Sequence, residues 1–287
     1  MVVKARPVLS FFKLVKTRRV VDGLALATNE SKLCENNSLP MKAILLLAAS
    51  LLGKQILGAE ALDVIASAKK LADKPNYSWT TTVFVPPGTG GRFRPGPSFG
   101  KTEKEGYTWF SMIKGQHNAL AVMKGGKGVV LWDGEWKTFD EMLQERQPRP
   151  ERFLARKLKF FFKLPPAEAE DLVSKVKSLK KEADVYNGEL SEHGAKALLT
   201  FRRSCDGDPM VSGGKGTARF WVTDGRLAKY EYHVEGLVHF NGEDRKIDRT
   251  VTTEIMEAGT TKVEVPQEAK NKLSLTRLVT TSEELGR

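Results

Sequence analysis

Cysteine is almost missing from the sequence, whose 287 residues contain only Cys34 and Cys205. Two thiols cannot build the disulfide framework of a small secreted domain or a thiolate zinc site. Histidine is also scarce, at four residues, and no two of them have the spacing of a metalloprotease motif on a helix. We therefore expect the fold to be stabilised by its own apolar core, for which the chain is long enough.

The sequence also lacks an apolar run long enough to span a bilayer comfortably. Ala43 to Leu52 is uncharged, follows Lys42, and leads to small residues at positions 58, 59 and 61. This order is typical of a secretory signal peptide, with a transmembrane anchor or a buried helix as alternatives. We predict a signal peptide over residues 41–59 and a single domain over 60–287. Residues 1–40 are then either a non-native upstream extension or a long n-region.

The net charge of +11 is unevenly distributed. Residues 1–59 hold nine Lys or Arg and three acids, a charge of +6, which leaves +11 − 6 = +5 for the rest. The excess positive charge that would indicate a nucleic-acid partner therefore lies largely in a segment that export would remove. We expect no nucleic-acid partner.

The stretch VPPGTGGR, Val85 to Arg92, resembles the phosphate loop of an ATPase. A phosphate loop needs a Lys, a Ser or Thr, and a following helix, because these groups bind the phosphates and magnesium. Gly91 and Arg92 occupy the Lys and Ser/Thr positions, and Pro95 and Pro97 prevent a helix there. A second partial match, Gly96 to Thr102, is one residue too short. We predict no nucleotide binding and no cofactor, and we interpret Pro86 to Gly106 as a long loop.

Alternation of apolar and polar residues dominates the rest of the chain and indicates antiparallel strands joined by tight turns. Helices are predicted at 60–73, 150–164 and 166–179. Strands are predicted at 77–85, 107–113, 119–124, 129–132, 197–202, 218–223, 228–235, 247–255 and 263–265. Helices that do not alternate with strands indicate an α+β fold and not a doubly wound one.

No convincing catalytic group emerges. Glu231, His233 and Glu235 share one face of a predicted strand, which suggests either a metal or acid–base cluster or the solvated face of that strand, and we favour the latter. Ser191 and His193 lie in an apparent polar turn with no nucleophile elbow. We expect no metal site and no enzymatic activity, with a metal-dependent enzyme as the weaker alternative.

The basic, aromatic segment Arg152 to Leu164 allows two interpretations. It is either a helix that lies on a membrane surface or an amphipathic helix that covers the sheet with its Lys and Arg at the rim. The second is the simpler one, although Phe160, Phe161 and Phe162 exceed what one buried helix face requires.

The order of these elements resembles the LolA/LppX/RseB-like superfamily of periplasmic lipoprotein carriers and sensors. The resemblance rests on the signal peptide, the first helix leading into Tyr77-Ser78-Trp79, the aromatic strand at 106–115, the hairpin GVVLWDGEW, and TARFWVTDGRLAKYEYHVEG before VEVP. It implies a curved antiparallel sheet, an incomplete barrel, covered by a few helices on its concave side. Among Arg92, Arg94, Arg202 and Arg219, none can be assigned to the arginine that helps lock the lid in carriers of that family.

The resemblance further implies an exported, monomeric protein of the periplasm or outside the cell that binds a lipid or an acylated protein. The Pro/Gly loop and a helix would close over the ligand. An envelope interaction module with a fully packed half-barrel, which binds another envelope protein, is the alternative. The expected cavity-lining residues are Trp79, Phe84, Trp109, Phe110, Met112, Trp132, Phe160, Phe161 and Phe220.

Overall fold

The computed structural model describes residues 58–89, 96–114, 117–146, 150–200, 210–240 and 243–284. All of them belong to one compact unit that spans Gly53–Arg287. The upstream extension and the predicted signal peptide, up to residue 57, lie outside the described residues.

Eleven antiparallel strands form one open sheet in the order β6-β5-β4-β3-β2-β1-β11-β10-β9-β8-β7. Six helices lie in the described part of the chain, and the predicted α+β class with an open antiparallel sheet is confirmed. The strands are β1 (Asn76–Phe84), β2 (Ser98–Glu103), β3 (Thr108–Lys114), β4 (His117–Lys124), β5 (Lys127–Trp132), β6 (Glu135–Thr138), β7 (Val176–Glu182), β8 (Val185–Leu190), β9 (Val211–Thr223), β10 (Arg226–Phe240) and β11 (Glu243–Met256). The helices are α1 (Ala59–Ala72), α2 (Phe139–Gln144), α3 (Pro150–Phe161), α4 (Pro165–Val173), α5 (Glu192–Leu199) and α6 (Gln267–Glu284).

Two of the hairpin turns contain residues with a left-handed backbone at both central positions. Asp133 (φ 49°) and Gly134 (φ 84°) join β5 to β6, and Asp224 (φ 52°) and Gly225 (φ 67°) join β9 to β10. Both central residues of each turn have positive φ, as in the turns that match the twist of antiparallel strands. The predicted hairpin GVVLWDGEW is confirmed, and the predicted tight turns between antiparallel strands include the one at Asp224-Gly225.

The sheet has an inner face, which carries Trp79, Phe110 and Tyr230 and packs on α1 to α5, and an outer face. The outer face is covered at one end by α6, where Ala269 and Leu273 pack on Val122 of β4 and Val129 of β5. The helices thus lie on both faces, with α1 to α5 on the inner one and α6 on the outer one. Because β3 has Phe110 inside and Trp109 on the α6 side, it carries bulky residues on both faces.

The long Pro/Gly loop contains a strand that the sequence interpretation missed. Within β2, residues at even positions are buried and Gly100 lies under the ring of Trp79, where a Cβ atom would come within 2.0 Å of that ring. A glycine inside a strand often marks such a close approach. Since the Gly and the flanking prolines dominate the local pattern, the alternation of Ser98, Gly100 and Thr102 was not recognised as a strand.

The helix predicted over 166–179 ends at Val173 and is followed by β7. Val176 and Leu179 are both buried although they are three residues apart, because a bulge shifts the β7–β8 register between them. A bulge places two residues of one strand opposite one of its partner, so spacing of three residues can occur on one face. That spacing is also the signature of a helix, and it explains the wrong prediction.

The strand predicted over 197–202 is wrong for its described part, since α5 occupies Glu192–Leu199. Ser191 is its N-cap, where Oγ accepts a hydrogen bond from the Gly194 amide at 3.0 Å, and Ala195 and Leu199 are buried four residues apart. The strand predicted at 263–265 is also wrong, because residues 261–266 are irregular and lead into α6.

Candidate functional site

An aromatic group lies on the inner face where β1, β2 and β3 adjoin. Trp79 of β1 is 3% exposed, and its ring centroid lies 5.9 Å from that of Tyr77. Phe162, directly after α3, brings its ring to 6.4 Å from Trp79 and, edge to face, to 5.8 Å from Phe110. Residues from two strands and a helix end therefore form one apolar floor.

Charged and polar groups lie above and beside this floor. The Nζ of Lys157 on α3 lies 5.7 Å from the ring centroid of Phe110. On α4, Glu168 Oε2 accepts a hydrogen bond from the Tyr230 hydroxyl at 2.5 Å. Asp171, one turn further along α4, pairs instead with Lys163 at 2.9 Å and Lys175 at 2.6 Å. Lys157 and Glu168 lie on two different helices, and the charge of each acts on the other.

The surrounding protein shifts the titration of these groups. Burial lowers the pKa of Lys157, and the nearby charge of Glu168 counteracts this effect. Burial also raises the pKa of Glu168, against the hydrogen bond from Tyr230 and the charge of Lys157. The pKa of Tyr232, a further inner-face residue, is raised to about 12 by burial, against the charge of Arg249. Each shift disfavours the charged form, as expected for groups removed from bulk water.

These same side chains nevertheless keep accessible surface. The side chain of Lys157 is exposed, and the side chains of Glu168 and Tyr232 are half-buried. A side chain that packs against neighbours on all sides has no accessible surface. A side chain on the convex outside of the sheet is surrounded by water and is not desolvated. Groups that have both properties lie where the packed interior meets solvent. We call this region the inner recess, and we define it by Trp79, Phe110, Lys157, Phe162, Glu168 and Tyr230.

Helices cover the two ends of the sheet more closely than its centre. On one side α3 packs on β4 and β5, and on the other α1 packs on β7, β9 and β10. Among the described helices, none packs comparably on β1, β2 or β11. The inner recess lies over this central part, between the two groups of helices.

The nine residues expected to line a cavity are divided by the structure among three environments. Trp79, Phe110, Met112, Trp132 and Phe220 belong to or pack on the inner core, and Phe220 has no exposed surface. Trp109 packs on the α6 side. Phe84, Phe160 and Phe161 are 63%, 58% and 55% exposed, and the structure does not bring them into the aromatic group.

Several residues of the inner recess were missed from sequence. Phe162 follows Leu158 by four residues, which places both on the same face of a helix. This spacing distinguishes Phe162, which points inward, from Phe160 and Phe161. Glu168 lies in the first turn of α4, where an acid is favourable in any helix, so its residue type does not distinguish it. Lys157 and Glu168 lie on different helices, so only the fold shows that the charge of each acts on the other.

The other candidate sites have structural explanations. Within the described residues, no group of three His, Cys, Asp or Glu side chains could hold a metal ion. Glu231 accepts from Thr252 at 3.0 Å, Glu235 pairs with Lys215 at 3.1 Å, and His233 Nε2 lies 3.0 Å from Asp248 Oδ1. Each member of the possible metal cluster therefore has its own cross-strand partner.

The described parts of the two partial phosphate-loop matches form a turn and a strand. Thr89 Oγ1 donates to the Pro86 carbonyl at 2.9 Å, and Gly88 has a φ of 81°, which forms a turn. Residues 90–95, including Arg92 and Arg94, lie outside the described residues, as do Arg202 and Cys205. The second match, Gly96 to Thr102, runs into β2 and not into the helix that would point its N-terminus at phosphate.

A separate groove of about 430 Å³ lies where β6, α2 and α6 meet. Two ion pairs cross it, between Lys137 and Glu145 at 3.1 Å and between Lys272 and Glu141 at 2.7 Å. These contacts tie α2 to β6 and to α6. None of the helices in the described ranges is long and apolar enough to cross a membrane.

Comparison with known proteins yields only distant similarities. No protein-family model matches the chain, and a search of curated proteins finds no match. The crystal structure of the Mycobacterium tuberculosis lipoprotein LppX is similar at 9% identity and a TM-score of 0.40, over 72% of this chain and 98% of that one. LprF from Mycobacterium bovis is similar at 10% identity and a TM-score of 0.37, over 73% of this chain and 97% of that one. Similarity at this level does not identify a ligand.

Proposed function

We propose that the protein is an exported, non-enzymatic carrier or sensor of the cell envelope that binds the acyl chain of a lipid or lipoprotein in the inner recess. The observation that supports this most is the combination of accessible surface and desolvation at Lys157 and Glu168 beside an aromatic floor. Ligand sites are typically concave and mostly apolar, with a few polar groups that fix orientation.

The mechanism would be reversible burial without covalent chemistry. An acyl chain on the floor formed by Trp79, Phe110 and Phe162 gains about 0.8 kcal/mol for each methylene removed from water. Lys157 and Glu168 would meet the polar end of the ligand and set which end enters first, while the buried Tyr230 holds Glu168 by its hydrogen bond. Because no bond is made or broken, release needs only an acceptor that buries the chain as well.

Export is a separate part of the proposal and rests on Met41 to Ala61 alone. The order of one Lys, a short apolar run and small residues directs a chain through the secretory route. The periplasm or the extracellular space would then be the place of action. N-terminal sequencing of the protein recovered from the cell envelope tests this part, and a chain that begins at Met1 or Met41 would contradict it.

The binding proposal is tested by native mass spectrometry of the full chain after mild purification, followed by titration with a fluorescent fatty acid. We expect a co-purified lipid mass and saturable uptake. Phe162→Ala should weaken uptake by about tenfold, because the ring contributes to the floor, whereas Phe84→Ala on the outer face should not. Circular dichroism checks that both variants fold. An apo mass together with no saturable uptake contradicts the proposal.

One observation favours a different class of function, an interaction module whose interior is full. Phe220 and Tyr230 have no exposed surface, so part of the inner face is already packed. Such a protein would bind another envelope protein through its outside and would take up no fatty acid. The same titration therefore separates the two functions.

A further inference from the structure

Helix α3 buries one side and exposes aromatic rings on the other. Leu154, Ala155 and Leu158 are at most 5% exposed and face the core. Phe160 and Phe161 are 58% and 55% exposed, and Phe153 is 47% exposed. Three exposed phenylalanines on one short helix are unusual, since scattered single apolar residues are what a protein surface normally shows.

The same helix is strongly basic. Residues 150–163 contain five cations and one acid, a net charge of 5 − 1 = +4. Lys159 is paired with Asp140 and Lys163 with Asp171, so carboxylates from α2 and α4 neutralise the cations at its sides. Arg156 is exposed and, among the described residues, has no ion-pair partner. It lies three and four residues from Phe153 and Phe160, on the same side of the helix.

We propose that the exposed side of α3, formed by Phe153, Arg156, Phe160 and Phe161, is a docking surface for an anionic lipid membrane. Aromatic rings on a basic amphipathic helix bury into the boundary between headgroups and acyl chains, and Lys and Arg interact with anionic headgroups. Arg156, the cation that lies among these rings, favours an anionic surface over a neutral one. The proposal deepens the proposed function, because a carrier must meet the membrane from which it takes its lipid, but its test does not require a ligand in the inner recess.

The readout has to be local to α3, because residues 43–52 form an apolar run that can bind lipid by itself. The full chain with Cys34→Ser and Cys205→Ser is labelled with a polarity-sensitive fluorophore at Phe160→Cys. A matched sample carries the fluorophore at Phe84→Cys, which replaces an equally exposed ring on the outer face of β1. Each sample is mixed with vesicles of equal parts phosphatidylglycerol and phosphatidylcholine, and with vesicles of phosphatidylcholine alone.

We expect the fluorophore at position 160 to shift to the blue with the anionic vesicles and not with the neutral ones, while the fluorophore at position 84 does not shift. Phe161→Ser should raise the lipid concentration at half-saturation by about tenfold, because a half-exposed ring loses its burial. Arg156→Gln should raise it by about fivefold, and Lys246→Gln on β11 should leave it unchanged.

Three results would overturn the docking surface. They are an equal shift at positions 84 and 160, an equal shift with neutral vesicles, and insensitivity to both Phe161→Ser and Arg156→Gln. If Phe161→Ser instead abolishes fatty-acid uptake without vesicles and leaves vesicle binding intact, the rings belong to the recess and the proposal is wrong. If the unmodified chain takes up no fatty acid but responds normally to the vesicles, only the proposed carrier function is contradicted and the docking surface is not.

Discussion

Glu168 combines a hydrogen bond that stabilises it with an environment that disfavours its charge. Tyr230 donates to it at 2.5 Å, Lys157 and Lys163 attract it, and Asp171 repels it. Burial is the largest effect and raises the pKa of Glu168 above its ordinary value. The folded protein therefore holds the proton of Glu168 more tightly than the unfolded chain, in which a Glu titrates near ~4.3.

The consequence is a pH-dependent difference between the native chain and Glu168→Gln. The native chain loses stability as the pH rises above ~4.3, towards the raised pKa of the folded state, and the Gln variant does not. We expect equal free energies of unfolding at about pH 4 and a more stable Gln variant at neutral pH, because only the native side chain must lose its proton in a buried place. Urea denaturation at several pH values measures this.

Glu170→Gln, on the same helix, is the control for removing a carboxylate from α4. A Glu168→Gln variant that becomes less stable than the native chain as the pH rises would show that Lys157 stabilises the ionised carboxylate more than burial opposes it. In that case Lys157 and Glu168 would form a structural ion pair, and they would not be available to a ligand.

At the scale of elements, α5 depends on its first residue. Ser191 Oγ accepts from the Gly194 amide and also donates to the Lys175 carbonyl at 3.1 Å, which ties the helix start to the segment before β7. Ser191→Ala should lower the free energy of unfolding by about 1 kcal/mol. Ser274→Ala on α6, an exposed helical position, should change it by less than about 0.5 kcal/mol. Equal denaturation midpoints for both variants would contradict the assigned cap.

The elements that could be predicted from sequence are those whose pattern has one meaning. Strands β9 to β11 alternate over long stretches, and α1 has apolar residues at helical spacing, so both were found. β2 was not predicted because its pattern contains the glycine that the ring of Trp79 requires. β7 was predicted as helix because a bulge gives its buried residues helical spacing. α5 was predicted as a strand because its apolar residues also alternate. In each case a tertiary contact decided the local structure, and the sequence pattern did not contain it.

The candidate site was predictable to a similar extent. Trp79, Phe110 and Met112 could be placed inside because they lie on aromatic strands, and the structure buries them. The exposure of Phe160 and Phe161, and the approach of Lys157 to Glu168, depend on how α3 and α4 pack. Local patterns do not contain that information, because the packing of two helices is set by contacts between distant residues.

At the scale of the whole molecule, the described helices pack more closely on the two ends of the open sheet than on its centre. Tyr77 and Trp79 of β1 and Val251 of β11 are buried there, although the described helices pack mainly elsewhere. The accessible but desolvated Lys157 and Glu168 mark the same region. Lipid binding in the inner recess accounts for these features together, and it is the central claim.

Photolabelling with a fatty acid that carries a photoreactive group along its chain tests this claim most directly. After irradiation of the full chain, mass spectrometry of its peptides locates the label. We predict labelling within Asn76–Phe84 and Thr108–Lys114 and next to Phe162, all of it competed away by unlabelled fatty acid. Labelling that does not saturate, or that is confined to α6 and the outer face, would contradict the account.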